Sequence, residues 1–184
     1  MNIRIEQKGD WPTVRAVHRA AFGAHGEVVA NLVGDLREAV AKGEGLSLVA
    51  EADDLVVGHV MFTRSLLDAP KRLVPVQVLS PVGVSPACQK QGIGTAMIRR
   101  GLEMLTERAV PLVFVEGPPE YYSRLGFQPG AAQGFRKPSL RIPDAAFQAM
   151  CLPSYEPWMT GSLVYAETFW RHDAVGLRDP QHRG

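Results

Sequence analysis

The sequence predicts one α/β domain, a mixed, mostly antiparallel sheet of about six or seven strands with flanking helices. Three observations carry this. Two stretches near the start keep apolar residues at helical spacing. Two strand-like runs meet at Asp53-Asp54 as a hairpin. Further on, Val82–Ala96 reads as strand, turn and helix, and the short apolar run Leu112–Val115 follows it as a right-handed crossover would require.

Taken in order, residues 2–6 alternate, with Ile3 and Ile5 on one face, and predict a short strand. Asp10 is expected to cap a helix entered by Trp11-Pro12, with Val14, Val17, Ala21 and Phe22 at helical spacing. A second helix is expected from about Glu27 to Ala41, turning Val29, Leu32, Val33, Leu36 and Val40 inward and ending at Gly43 and Gly45. Leu46–Glu51 and Leu55–Phe62 form the hairpin. The next strand, Leu73–Val84, contains Pro75 and Pro81, which remove ladder donors and predict an irregular or bulged run. The helix after Gly92 carries Ile98, Leu102, Leu105 and Ala109 on one side and Arg99, Arg100, Glu103 and Glu107 on the other. Leu112–Val115, wholly apolar, suits a buried parallel strand. A short helix is expected at Tyr121–Leu125, closed by Gly126. Phe127, Ala146–Leu152 and Leu163–Tyr165 read as less regular strands, and a polar tail is expected from about Gly176.

Composition narrows the function classes. The 184 residues are 46% hydrophobic and carry a formal net charge of +1, an ordinary globular balance. Neither nucleic acid nor a membrane surface is expected as partner at that charge. No apolar run approaches a spanning helix, and the start does not read as a signal peptide, so a cytoplasmic location is expected. The two cysteines, Cys88 and Cys151, make no disulfide framework. Cys88 lies in a turn before a helix, where a thiol can be reactive, but a free thiol without a role is the simpler reading. The five histidines show no metal spacing, so no metal is expected.

The stretch from Val82 to Ala96 is the most informative. Gly92 and Gly94 open a helix directly after a strand and a polar turn. Glycine lets a ligand approach the backbone, and the first helical N–H groups lack intrahelical partners at the positive end of the dipole. This arrangement suits a phosphate or pyrophosphate. It is not a dinucleotide fingerprint, since Met97 stands where a third glycine is needed, and no Gly-Lys-Ser/Thr follows as in a P-loop.

The remaining pattern, Gln89-x-x-Gly92-x-Gly94 after a strand, resembles the acyl-CoA-binding signature of the GNAT superfamily of N-acetyltransferases. Tyr121-Tyr122-Ser123-Arg124-Leu125-Gly126-Phe127 resembles the segment that follows the fifth strand in those enzymes. Ala20-Ala21-Phe22, Glu27, Leu48–Glu51, Gly58-His59-Val60 and Gly161–Tyr165 are similar to one bacterial branch of predicted N-acetyltransferases. The resemblance covers roughly residues 2–170, leaving 171–184 as a tail. It implies a GNAT-like acyl-CoA N-acyltransferase fold, with acetyl-CoA as cosubstrate. It assigns the pantetheine arm to the backbone of Val82, Gly83 and Val84. The pyrophosphate goes to the N–H groups of Gln91, Gly92, Ile93, Gly94 and Thr95, with Gln89 steering the turn. Lys90 stands where many relatives have glycine; it is expected to keep a negative φ, and its ammonium to favour phosphate. Tyr122 matches the tyrosine that protonates the departing CoA thiolate, and its other reading is plain packing. Tyr121 is read as packing.

An ammonium acceptor must also lose a proton. Glu116 stands at the carboxyl end of the predicted buried strand, the edge where open α/β sheets place chemistry, and is the candidate base. The alternative is a solvated strand-end carboxylate. Glu27 and Glu51 are weaker candidates. His59, alternating with Val57 and Met61, is read as a hydrogen-bonded core histidine. Tyr155, Trp158 and Met159 are read as core or as the wall of an acceptor pocket. The expected reaction is direct acetyl transfer to an amine of a small molecule or peptide in a ternary complex. An acyl-CoA sensor with little catalysis, a longer acyl group and a hydroxyl acceptor are the alternatives. The acceptor and the oligomeric state, a homodimer included, are left open by the sequence.

Overall fold

The computed structural model describes residues 1–177. The chain forms two compact units. The first comprises Met1–Arg64 and Leu79–Arg108, the second Ser65–Val78 and residues 109–177. Its class is mixed α/β, with a largely antiparallel sheet and flanking helices.

In the first unit, β1 (Asn2–Ile5) pairs antiparallel with β2 (Gly45–Ala52), and β2 with β3 (Leu55–Asp68). The β2–β3 hairpin closes through Asp53 and Asp54 alone, at φ of 50° and 61°. Two positive-φ residues give the turn whose twist matches the strands, and aspartate tolerates that region. Helices α1 (Trp11–Phe22) and α2 (Gly26–Ala41) pack on each other. Strand alternation then divides β3 between two helical layers. A Cβ added at Gly58 would lie 2.9 Å from Met97 on α3 (Ile93–Glu107), and Phe62 packs where Gly101 of α3 has no side chain. His59, of opposite parity, faces α1 through His18. Both faces of β3 are therefore covered, and Val60, Met61 and Phe62 are fully buried.

In the second unit, β4 (Leu73–Val84) contributes Gln77 and Val78 to a two-residue parallel ladder with β5 (Leu112–Glu116). After β5 come α4 (Pro119–Tyr122), β6 (Gln128–Pro129) and β7 (Phe135–Arg136). Strand β8 (Phe147–Cys151) runs antiparallel to β5 along its whole length and also pairs with β6. The far end of β3 pairs with β9 (Gly161–Val164), which pairs parallel with β7. Helix α5 (Glu167–Arg171) follows. Phe114 is the centre of the core, edge-on to Phe135 at 5.0 Å and stacked on Phe147 at 5.8 Å.

Several expectations change. Among the described residues there are nine strands instead of six or seven, because β6 and β7 are two-residue ladders held by partners distant in sequence. Asp10 does not cap α1 with its side chain: the carboxylate accepts from the Gln7 N–H and from Arg4. In α2, Ala30 is buried and Val29 and Val40 only half so. Ala109 lies beyond α3 at a φ of 55°. The short helix begins at Pro119, ahead of Tyr121. Val175 is fully buried, so the chain stays packed close to the expected tail, whose residues 178–184 lie outside the described residues.

Candidate active site

In the first unit, β4 ends at Val84 and is tied back by Ser85, whose N–H donates to the Val57 carbonyl at 2.8 Å. The Gln89 amide donates across the following turn to the Val84 carbonyl at 3.0 Å, and the Gln91 amide to that of Ala87 at 3.4 Å. Gln89 thus fastens the turn to the end of β4. Gly92 is the residue before α3 and stands in the left-handed region at φ 82°, with open space where a Cβ would point. The helix closes its first bond from the Ala96 N–H to the Gly92 carbonyl, and its first turn contains no acidic side chain. An exposed N-terminal end of a 15-residue helix, without a competing carboxylate, fits a pyrophosphate. Lys90 departs from expectation: its φ is +62°, a conformation that costs a lysine on the order of 1 kcal/mol and a glycine little. Its exposed side chain leaves the charge argument intact. Gly83 is buried, and the place of its missing side chain is taken by the His18 ring.

In the second unit, Tyr122 closes α4 and is 9% exposed. Its N–H donates to the Pro118 carbonyl, and its own carbonyl accepts from Phe127 after the left-handed turn at Gly126. The ring stands edge-on to Tyr121 at 5.0 Å and to Phe127 at 5.7 Å. A side chain at Gly117 would strike Cε2 of that ring, so this glycine makes the space Tyr122 occupies. Burial pushes the phenol well above its ordinary range, and Tyr121 adds to the effect, so Tyr122 is neutral at any ordinary pH.

Glu116, the last residue of β5, is half-buried. Burial pushes its carboxyl up, opposed by a hydrogen bond from the Gly176 N–H at 3.2 Å and by the charge of Arg141. A raised carboxyl suits a base near neutrality. The Gly176 donor, however, makes Glu116 an anchor for the C-terminal segment as well. Glu27 is held by Arg15 and Arg19, and Glu51 by Arg4 and Asn2; hydrogen bonds from these arginines lower both carboxyls, which disfavours them as bases. Trp158 lies under two cations, Lys71 at 5.0 Å and Arg72 at 5.3 Å. Tyr155 packs on Phe135, and Met159 is buried. An open groove of about 520 Å³ lies beside Asp68, Arg136 and Thr160, and none of the predicted site residues lines it.

Sequence reasoning missed a buried polar chain in the first unit, Glu6, Ser47, His59 and His18. His59 had been legible singly as a hydrogen-bonded core residue, but its partners are distant in sequence. Among the described residues no group of histidine, cysteine, aspartate and glutamate is arranged to hold a metal ion, and no helix is long and apolar enough to cross a membrane.

Residues 2–130 match the family model of the acetyltransferase (GNAT) domain. The chain is 36% identical over 169 residues to an uncharacterized N-acetyltransferase of Escherichia coli K12, YjhQ, covering 90% of this chain and 92% of that one. It is similar to the crystal structure of the Escherichia coli GNAT family N-acetyltransferase YhbS in complex with CoA, with a TM-score of 0.80, 31% identity and 92% of each chain covered. A GNAT family acetyltransferase from Brucella melitensis in complex with acetyl-CoA gives a TM-score of 0.71 and 32% identity, over 91% of this chain and 97% of that one. The chain belongs to the GNAT family of N-acetyltransferases.

Proposed function

We propose that this protein transfers an acetyl group from acetyl-CoA to an amine of a small molecule or peptide, by direct attack in a ternary complex. The observation that carries the reading is the turn from Gln89 to Thr95, with a left-handed Gly92 before a long helix that has no acidic residue in its first turn. Two similar proteins crystallised with CoA and acetyl-CoA support it. The N–H groups of Gln91, Gly92, Ile93, Gly94 and Thr95 receive the pyrophosphate, Lys90 adds a positive charge, and the backbone of Val82, Gly83 and Val84 receives the pantetheine arm. Bound acetyl-CoA supplies an activated thioester carbonyl. Tyr122, neutral and buried, donates its O–H hydrogen to the departing thiolate. The acetyltransferase domain spans residues 2–170.

For Glu116 two readings are kept, because one observation favours each. The raised carboxyl favours a base for the acceptor ammonium, and the Gly176 hydrogen bond favours a structural anchor. Glu116→Gln distinguishes them. A base gives a lower kcat/KM and a lost acidic limb of the pH profile at unchanged stability; an anchor gives a lower melting temperature and an unaltered profile.

The reaction itself is tested by incubating the protein with acetyl-CoA and a broad amine panel and detecting products by mass spectrometry. Acetylated amines are expected. Binding of acetyl-CoA without any product would point to a sensor, and acetylation of hydroxyls alone would change the acceptor class.

A further inference from the structure

The polar chain in the first unit ends against the strand assigned to the pantetheine arm. Ser47 Oγ donates to Glu6 Oε2 at 2.8 Å and lies 2.8 Å from His59 Nε2, and His59 Nδ1 lies 2.7 Å from His18 Nε2. Both histidines are fully enclosed. Burial works against the charge of Glu6, but the nearby His59, 3.8 Å away, and hydrogen bonds from Arg37 and Ser47 outweigh it and hold the carboxyl at about 2. Glu6 is therefore an acceptor only.

Its charge sets the direction of every bond in the chain. The single Ser47 proton goes to Glu6, so Ser47 Oγ accepts from His59 Nε2–H. His59 is left with a lone pair at Nδ1, which accepts from His18 Nε2–H. His18 then carries a bare lone pair at Nδ1, an atom for which the structure offers no partner. The reverse polarity sets lone pairs of Ser47 and Glu6 against each other at 2.8 Å and strands a buried N–H on His18, which costs more.

The ring itself stands beside β4 at Gly83. A Cβ built on Gly83 would lie 2.8 Å from His18 Nδ1 and 2.9 Å from Cε1. The ring fills the volume that a side chain at position 83 would need. Gly83 does not have a left-handed φ, so its glycine answers to this ring and not to backbone conformation.

We propose that His18 is a positioning residue for acyl-CoA: its ring, locked by Glu6, Ser47 and His59, sets the place of the Val82–Val84 backbone that receives the pantetheine arm. This rests on the assignment of that strand made under the proposed function. The imidazole works here as a spacer held in one place, its ring standing where position 83 has no side chain.

Four proteins test it: the unmodified chain, His18→Gln, Gly83→Ala and the double variant, each titrated with acetyl-CoA by calorimetry and melted. Glutamine keeps an N–H for His59 Nδ1 but removes the ring from Gly83. His18→Gln is expected to stay folded and to bind acetyl-CoA about tenfold more weakly. Gly83→Ala, whose methyl meets the ring, is expected to lose more. The double variant, with room for the methyl, is expected to bind more tightly than Gly83→Ala. Nitrogen-15 spectra of His18 should show a bare Nδ1 whose resonance shifts when acetyl-CoA is added, a change that a remote packing role would not produce. Folded single variants that bind like the unmodified chain, or a protonated Nδ1, would overturn the positioning role alone. An unmodified chain that does not bind acetyl-CoA would overturn the functional reading with it.

Discussion

Replacing Gly117 by alanine tests whether the placement of Tyr122 matters, because it moves that ring without touching its chemistry. The added methyl would strike Cε2 and come within 3.1 Å of Cδ2 and 3.3 Å of Cζ. Carbon atoms rest at about 3.5–4.0 Å, so the ring must retreat by roughly 1 Å. Gly117 has no left-handed φ, so alanine brings no backbone strain and the contact is the whole perturbation. The ring has little room, with Phe127 and Tyr121 against it. Overpacking of this kind costs about 1–3 kcal/mol. At about 2–4 °C per kcal/mol for a chain this long, the melting temperature should fall by about 2–12 °C. Displacing a reacting group by that distance costs about 10²-fold in kcat. Calorimetric melting and steady-state kinetics with a turned-over amine read the two effects separately. A variant that melts lower yet keeps full kcat would show that the ring's position serves packing alone. Unchanged melting and unchanged kcat would refute the contact argument.

Tyr122→Phe keeps the ring and deletes the hydroxyl; kcat should fall by about 10²–10⁴ with acetyl-CoA affinity preserved, as single-turnover and binding measurements would show. Gly92→Val forces a β-branched residue into φ 82° with no clash, so calorimetry should find acetyl-CoA affinity reduced more than tenfold, about 1.4 kcal/mol. Stability should fall as pH drops from about 6.5. Burial lowers His18 to about 3, so the unfolded chain binds a proton there that the folded chain refuses, and the loss is on the order of 3 kcal/mol by pH 4. Below about 4.5, Glu6 adds a loss of the same sign, since its folded carboxyl is held at about 2. Melting curves between pH 7 and 4 read both, and a flat series would contradict the buried neutral pair.

What the sequence shows and what it hides follow from range. The Asp53-Asp54 turn, the apolar face of α3 and the buried run of β5 are set by residues within a few positions of each other, and all three were legible. The turn from Gln89 to Gly92 was legible for the same reason, although the left-handed φ of Lys90 was not, since its side chain gives no sign of it. Asp10 looked like a helix cap because aspartate so often is one; Arg4, six residues earlier, takes its carboxylate instead. Strand β7 consists of Phe135 and Arg136, too short for any period, and exists because Gly161 and Ser162 pair with it. The His18–His59 contact spans 41 positions and the bond from Gly176 to Glu116 spans 60. No local pattern encodes either.

That last bond ties the candidate base to the order in which the chain is made. Glu116 is complete in β5 long before Gly176 is synthesised, and until then its carboxylate lacks the donor it has in the finished protein. The Gly176 N–H is the backbone donor that opposes the upward push of burial on this carboxyl. Residues 174–177 supply that N–H, and Val175 among them is fully buried. The final setting of this carboxylate therefore waits for residues 174–177, and a chain released short of Val175 would carry every predicted site residue yet leave Glu116 without its Gly176 donor.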